Sequence, residues 1–129
     1  YGTLEEVLSN SDIVTLHCPL TEDSRNLINQ DRIAQMKKGA ILINAARGPI
    51  VDSKALADAL NSGYLRGAGV DVFEMEPPLP MDHPLLHSIN TIVTPHIAFA
   101  SDESMEIRAK IVFENIQKWM NKEQVNTIL

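Results

Sequence analysis

The sequence has 129 residues, of which 44% are hydrophobic and 22% charged, a globular composition that argues against a disordered or fibrous chain. A formal net charge of −6 disfavours a nucleic-acid-binding protein, because binding to phosphates needs clustered lysine and arginine side chains. Apolar runs such as Ala40 to Ile43 are far shorter than the roughly 20 residues that span a bilayer, so no membrane association is predicted, and the single cysteine fits a reducing, cytoplasmic compartment.

The first third of the chain predicts a helix, a strand and a second helical segment. Leu4 to Leu8 has helical spacing, and Thr3 and Glu6 form a capping-box pattern at its start. A β-branched run over residues 12–16 predicts a buried strand, and apolar residues then recur at helix-like spacing from Thr21 to Met36.

The rest of the chain predicts three more strands and two more helices. The strands are expected at residues 40–44, 67–72 and 91–94, and the near-continuous apolar character of the first favours a strand covered on both faces. The helices are expected from Ser53 to about Asn61 and from Asp102 to about Met120. Alternating strands and helices are typical of an α/β protein with a parallel sheet.

Parallel sheets bind ligands at the carboxyl ends of their strands, so the polar residues that follow each strand are the candidates for a site. Arg47 follows the second strand, Glu74 and Glu76 follow the third, and His96 follows the fourth. Small residues beside Arg47, including Gly48, leave space for a ligand. Each of these side chains alone is explained as a surface residue or a satisfied polar group. As a set they predict an acid–base site for an anionic substrate, since arginine binds carboxylates and histidine moves protons.

The remaining reactive side chains do not predict a further site. His17, His83 and His87 are not at metal-ligand spacing from a carboxylate or thiol, so no metal site is predicted. Cys18 has no base placed beside it and is interpreted as a small buried side chain instead of a nucleophile.

Four stretches of the chain resemble motifs of the D-isomer-specific 2-hydroxyacid dehydrogenases. They are residues 12–21, 36–52, 69–77 and 90–98, and they occur in the family's order. The resemblance covers nearly the whole chain and concerns the C-terminal part of the family's NAD-binding domain. It implies a Rossmann-type parallel sheet with flanking helices, of which residues 1–129 are the second half, and a nicotinamide cofactor, either NAD or NADP.

The resemblance also implies roles for individual residues. Arg47 would hold the substrate carboxylate, His96 would donate a proton to the carbonyl, and Glu76 would orient His96 and keep it protonated. Glu74 has no counterpart in the family and is expected at the surface. Contacts with the cofactor are implied for a longer set of residues: Cys18, Pro19, Ser24, Ala45, Ala46, Arg47, Asp71, His96 and Ala98.

The implied activity is hydride transfer between the cofactor and a D-2-hydroxy acid or 2-keto acid, such as glycerate with hydroxypyruvate, or glyoxylate. The loop from Glu76 to Leu85 looks most like glycerate or hydroxypyruvate reductases, and Glu76 itself departs from the glutamine of formate dehydrogenases. The resemblance implies a homodimer for the full-length protein. A non-catalytic, dinucleotide-sensing corepressor branch shares these site residues and stays open as the alternative.

Two parts of such an enzyme are not found in this sequence. The glycine-rich turn that binds the pyrophosphate is not present, since Gly67 and Gly69 belong to a strand, and the substrate-binding domain is not present either. A start at Tyr1 without a methionine is interpreted as the beginning of a piece of a longer protein. We therefore expect the 129-residue chain alone to be inactive, and to self-associate through an open sheet edge.

Overall fold

A computed structural model describes residues 1–75, 78–123 and 125–126 of the chain. The chain falls into two compact units, Tyr1–His96 and Ile97–Leu129. Within the described residues, none of the helices is long and apolar enough to cross a bilayer.

The first unit is built on a parallel sheet of four strands in the order β1-β2-β3-β4. The strands are β1 (Ile13–Leu16), β2 (Ile41–Asn44), β3 (Gly67–Val70) and β4 (Thr91–Val93). Each is one or two residues shorter than the sequence predicts. The parallel pairing confirms the predicted α/β fold of Rossmann type, and it places the carboxyl ends of all four strands at one edge.

Three helices of this unit begin at side-chain caps. Helix α1 spans Leu4–Asn10, and its predicted capping box is confirmed: Thr3 Oγ1 accepts from the N–H of Glu6 at 3.2 Å, and Glu6 Oε2 accepts from the N–H of Thr3 at 2.8 Å. Helix α2 spans Gln30–Gln35 and helix α3 spans Ser53–Asn61. Asp52 caps α3, since its Oδ1 accepts from the N–H of Ala55 at 2.9 Å.

The predicted helical segment from Thr21 to Met36 is wrong over its first nine residues, because only Gln30–Gln35 is an α-helix. Asn26 has a φ of 55°, which a right-handed helix cannot contain. The following backbone is extended: Ile28 pairs in parallel with Val51 and donates to the carbonyl of Ile50 at 2.9 Å. This pairing holds the segment that follows β2 against the rest of the unit.

The core lies on one face of the sheet, between the strands and the helices. Leu42 of β2 and Val70 of β3 point into it, as do Leu56 and Leu60 of α3, which are fully buried. Removing the side chain of a buried leucine in this way costs about 2–5 kcal/mol. The core therefore fixes α3 and the strand ends relative to one another.

The opposite face of the sheet departs from expectation. The sequence favours cover on both faces of β2, yet Ile13, Ile43 and Ile92 are 55%, 37% and 73% exposed. The strand register places Ile43 opposite Gly69, and Gly69 opposite Ile92, so these residues form one row across three strands. An apolar row of this kind is accessible to solvent in the chain as described.

The second unit contains helix α4, which spans Asp102–Met120. Ser101 and Ser104 form a capping box, in which Ser101 Oγ accepts from the N–H of Ser104 at 3.2 Å. The guanidinium of Arg108 lies 4.8 Å from the centre of the Phe99 ring, a cation–π contact between the loop and the helix that follows it.

Candidate active site

A cavity of about 180 Å³ opens at the carboxyl edge of the sheet, where β2, β3 and β4 end. This volume is below the roughly 300–1,000 Å³ of pockets for drug-sized ligands and suits a small molecule. Arg47 and His96 contribute the basic groups of its wall, and Asp71 contributes a buried carboxylate. The described residues that line the cavity are Arg47, Gly48, Pro49, Asp71, Val72, Phe73, Glu74, Met75, Pro95 and His96.

The turn that carries Arg47 is ordered by the side chain of Asn44, the last residue of β2. Asn44 is 1% exposed, its Oδ1 accepts from the N–H of Ala46 at 3.1 Å, and its Nδ2 donates to the carbonyl of Arg47 at 3.1 Å. Arg47 itself is exposed, and its Nη1 donates to the carbonyl of Ala46 at 2.7 Å. The arrangement leaves a guanidinium at the cavity wall on a backbone held from both sides.

Gly48 has a different role from the one that the sequence predicts. Instead of leaving space for a ligand, it allows two backbone segments to touch: a Cβ built on Gly48 would lie 1.8 Å from the carbonyl carbon of Phe73 and 2.4 Å from the nitrogen of Glu74. Real Cβ atoms do not come this close to backbone atoms. The loop after β3 is therefore packed directly on the residue that follows Arg47.

Asp71 and His96 are linked through the backbone and through Thr94. Thr94 Oγ1 donates to Asp71 Oδ1 at 2.5 Å, and the N–H of His96 donates to the carbonyl of Asp71 at 2.8 Å. His96 has a φ of 57°, a left-handed conformation that is uncommon outside glycine and concentrated at functional sites. The hydrogen bond to Asp71 holds this conformation and directs the histidine to the cavity.

Sequence reasoning missed a hydrogen-bonded pair beside the cavity. Glu74 is expected at the surface, but its Oε2 accepts from Ser53 Oγ at 2.8 Å and its Oε1 lies 3.1 Å from His83 Nε2. Burial raises the pKa of Glu74, but hydrogen bonds from its own backbone, from Ser53 and from His83 lower it by more, so the net pKa lies below the ordinary value. The spacing of Glu74 and His83 along the chain carries no signal for this contact.

The other predicted site residues lie in three places. Glu76 is outside the described residues. The loop after β1 holds Cys18, Pro19 and Ser24; Cys18 is half-buried, as its interpretation requires in part, and the buried Ser24 hydroxyl donates to the carbonyl of Pro19 at 2.7 Å. The turn after β2 holds Ala45 and Ala46, and Ala98 belongs to the second unit. Their predicted contacts with a cofactor stay predictions.

The described residues contain no group of three or more histidine, cysteine or acidic side chains arranged to hold a metal ion. The chemistry that this site offers is therefore that of its own cation, imidazole and carboxylate. An arginine and a histidine on one cavity wall can bind a small anion and exchange a proton with it.

Comparison with known proteins gives one family. Residues 1–98 match the family profile described as D-isomer specific 2-hydroxyacid dehydrogenase, NAD binding domain. This stretch contains every described residue that lines the cavity.

Curated relatives and solved structures agree with that match. The chain is 41% identical to a hydroxypyruvate reductase of Blautia hydrogenotrophica, over 99% of its own length and 39% of the relative's. It is 47% identical to a glyoxylate reductase of Korarchaeum cryptofilum, over 90% of its length and 35% of the relative's. The structure superposes with a TM-score of 0.87 and 33% identity on D-lactate dehydrogenase with NAD⁺ from Lactobacillus jensenii, over 100% of this chain and 42% of that one. In these comparisons the chain spans about two fifths of the other protein or less.

Proposed function

Because the chain belongs to the D-isomer-specific 2-hydroxyacid dehydrogenase family, in the part that forms its NAD-binding domain, we propose that the complete protein interconverts a D-2-hydroxy acid and a 2-keto acid. Residues 1–129 are on this proposal the second half of a nucleotide-binding domain, and the pyrophosphate-binding turn and the substrate domain belong to other parts of the protein. The observation that supports the proposal most is the common cavity of Arg47, Asp71 and His96.

The residues at the sheet edge fit a nicotinamide dinucleotide, NAD or NADP. Rossmann-type sheets hold dinucleotides at the carboxyl ends of their strands, and this cavity lies at that edge. Asp71 is 6% exposed and presents a carboxylate there, an acceptor that suits the amide group of a nicotinamide. The small Ala45 and Ala46 precede Arg47 and leave the approach to the edge open. When bound, the cofactor supplies or accepts the hydride.

The remaining chemistry belongs to the side chains of this chain. Arg47 holds the carboxylate of the acid through its guanidinium fork and places a positive charge near the oxygen of the neighbouring carbonyl. His96 holds the proton that this oxygen takes up on reduction, and it removes the same proton in the reverse direction. On the same proposal Glu76 orients His96.

For the substrate we propose a small unphosphorylated 2-keto acid, hydroxypyruvate or glyoxylate. Two of the relatives above are named for these two acids. A cavity of about 180 Å³ is consistent with an acid of two or three carbons. The relatives are reductases and dehydrogenases, and no observation favours the corepressor alternative.

The test is a steady-state assay of the complete protein with NADH and NADPH against glyoxylate, hydroxypyruvate and pyruvate. We expect Arg47→Ala to lower kcat/KM for the preferred acid by about 100-fold, since it removes a charge that stabilises the transition state. Arg66→Ala, which removes an exposed arginine before β3, is the matched control and should retain the wild-type value. An Arg47→Ala enzyme as active as the control would contradict the assignment.

We also propose that the complete protein is a cytoplasmic homodimer. The single cysteine, half-buried as Cys18, suits a reducing compartment, and the exposed apolar positions of the chain suit contact with further polypeptide. Light scattering of the complete protein checks the oligomeric state, and fractionation of the source cells checks the compartment.

A further inference from the structure

The starting point is the ring of His83, which is buried without belonging to the proposed reaction. Its side chain is 3% exposed and packs edge-on against Phe73, with ring centres 5.3 Å apart at an interplanar angle of 90°. The N–H of Leu85 donates to His83 Nδ1 at 3.3 Å. A nitrogen that accepts from a backbone N–H carries no proton, so Nε2 carries it and donates to Glu74 Oε1 at 3.1 Å.

The carboxylate of Glu74 is held from a second side. Ser53 Oγ, at the first turn of α3, donates to Glu74 Oε2 at 2.8 Å. One oxygen is thus tied to α3 and the other to the 3₁₀ turn Pro84–Leu86 that follows His83. Two bonds to separate elements fix both the position and the orientation of a side chain that is still 39% exposed.

The backbone of Glu74 connects this pair to the cavity. Phe73, Glu74 and Met75 form one wall of the cavity that holds Arg47 and His96. The same backbone lies directly on Gly48, where no Cβ fits. A shift of the Phe73–Glu74 peptide would therefore change both the wall and the support of the residue next to Arg47.

We propose that Glu74 and His83 are positioning residues for substrate binding: their hydrogen bond holds the wall formed by Phe73–Met75 against Gly48 and so sets the space beside Arg47. The inference rests on the proposed function for the identity of the ligand, a small 2-keto acid. It does not require either side chain to touch that acid. A pair that merely stabilised the fold would alter the stability of the protein without altering the KM.

Two near-isosteric substitutions separate the two hydrogen bonds of His83. In His83→Asn the side-chain oxygen can still accept from the N–H of Leu85, but the side chain is too short to reach Glu74. In His83→Gln the side-chain nitrogen reaches the place of Nε2 and can still donate to Glu74. Asp58→Asn, which removes a carboxylate from the exposed Lys54–Asp58 pair on α3, is the control.

The measurement is KM and kcat of the complete protein for its preferred 2-keto acid. We expect His83→Asn and Glu74→Ala to raise KM by about tenfold, the equivalent of one buried hydrogen bond lost, with a smaller change in kcat. His83→Gln should stay within about threefold of the wild type, and Asp58→Asn should match it. Equal KM values for His83→Asn and His83→Gln, whether raised or unchanged, would overturn the proposal.

A second readout keeps the inference separate from the proposed function. If the wild type reduces none of the acids tested, the proposed function fails, and amide hydrogen exchange over residues 72–75 then decides about the pair. Faster exchange in His83→Asn than in His83→Gln, at equal global stability, supports the positioning role. Exchange at the wild-type rate in both variants contradicts it.

Discussion

Gly48 is the residue at which the cavity depends most directly on backbone packing. Its φ is not in the left-handed region, so its conformation is open to other residues, and only the space is restricted. A methyl group there must displace the backbone of Phe73 and Glu74, which cannot yield as a flexible side chain could. The contact connects the turn after β2 to the loop after β3, and so Arg47 to the opposite wall.

We therefore expect Gly48→Ala to lower the free energy of unfolding by about 3 kcal/mol, the upper end of the usual cost of overpacking. Gly69→Ala is the matched control, because its Cβ would meet only the side chain of Ile43 at 3.9 Å, an ordinary contact. Urea unfolding of both variants, with equal m-values, measures the difference. Equal stability of the two variants would contradict the close contact at Gly48.

Glu74 gives a prediction for the dependence of stability on pH. Its pKa is lowered in the folded protein, so its carboxylate stabilises the fold at a pH above the unfolded-state pKa, and this contribution is lost as the pH falls through the lowered pKa. We expect the wild type to be more stable than Glu74→Gln at neutral pH, with the gap closing below about pH 4.

Thermal unfolding at a series of pH values measures that gap. The exposed Glu22→Gln is the control, because it makes the same change in net charge at a surface position. Asp12 and Glu103 also have lowered pKa values, and both are retained in every variant, so their effect cancels in the comparison. A gap that stayed constant from neutral to acid pH would count against the hydrogen bonds to Glu74.

At the scale of elements, local patterns explain which predictions succeed. The capping box of α1 and the cap of α3 lie within four residues of the helices that they start, so the sequence alone identifies them. The segment after Thr21 fails because its apolar residues serve a distant partner: Ile28 pairs with Val51, and no local signal reveals this. Element order and strand direction follow from periodicity, whereas such tertiary contacts do not.

The candidate site divides along the same line. Strand ends and parallel topology are enough to bring Arg47, Asp71 and His96 to one edge, so the sequence predicts their proximity. The hydrogen bond between Glu74 and His83 depends on how a loop of irregular backbone returns to α3, and no periodic pattern encodes it. The left-handed backbone of His96 is likewise a tertiary result, held by its bond to Asp71.

The turn after β2 gives the prediction that belongs to an element. Asn44 satisfies two backbone groups of this turn, and Asn44→Ala leaves both without their partner in a buried place, at an expected cost of about 1–3 kcal/mol. Asn44→Asp keeps the acceptor for Ala46 but loses the donor to Arg47. We expect a stability between those of the wild type and Asn44→Ala, and a fall in kcat/KM in both variants because Arg47 is less well held.

At the scale of the whole molecule, the chain presents an apolar sheet face and an unpaired edge. Ile43 and Ile92 stand in one row across the sheet, and β1 pairs with β2 only on its inner side among the described residues. Exposed strand edges and apolar patches are the surfaces through which chains associate. The 129-residue chain expressed alone is therefore expected to bind neither dinucleotide tightly nor to reduce hydroxypyruvate, and to associate with itself.

Sedimentation velocity over a range of concentrations tests the association, using the 129-residue chain and its Ile43→Thr/Ile92→Thr variant. Threonine keeps the β-branched shape that strands favour, so the fold should be retained while the apolar area of the face falls. We expect oligomers that grow with concentration in the parent chain and a shift toward monomer in the variant. Ile89→Thr, at a position that is 52% exposed but outside the strands, is the control and should associate like the parent. A parent chain that remains monomeric at every concentration would show that this face is not adhesive.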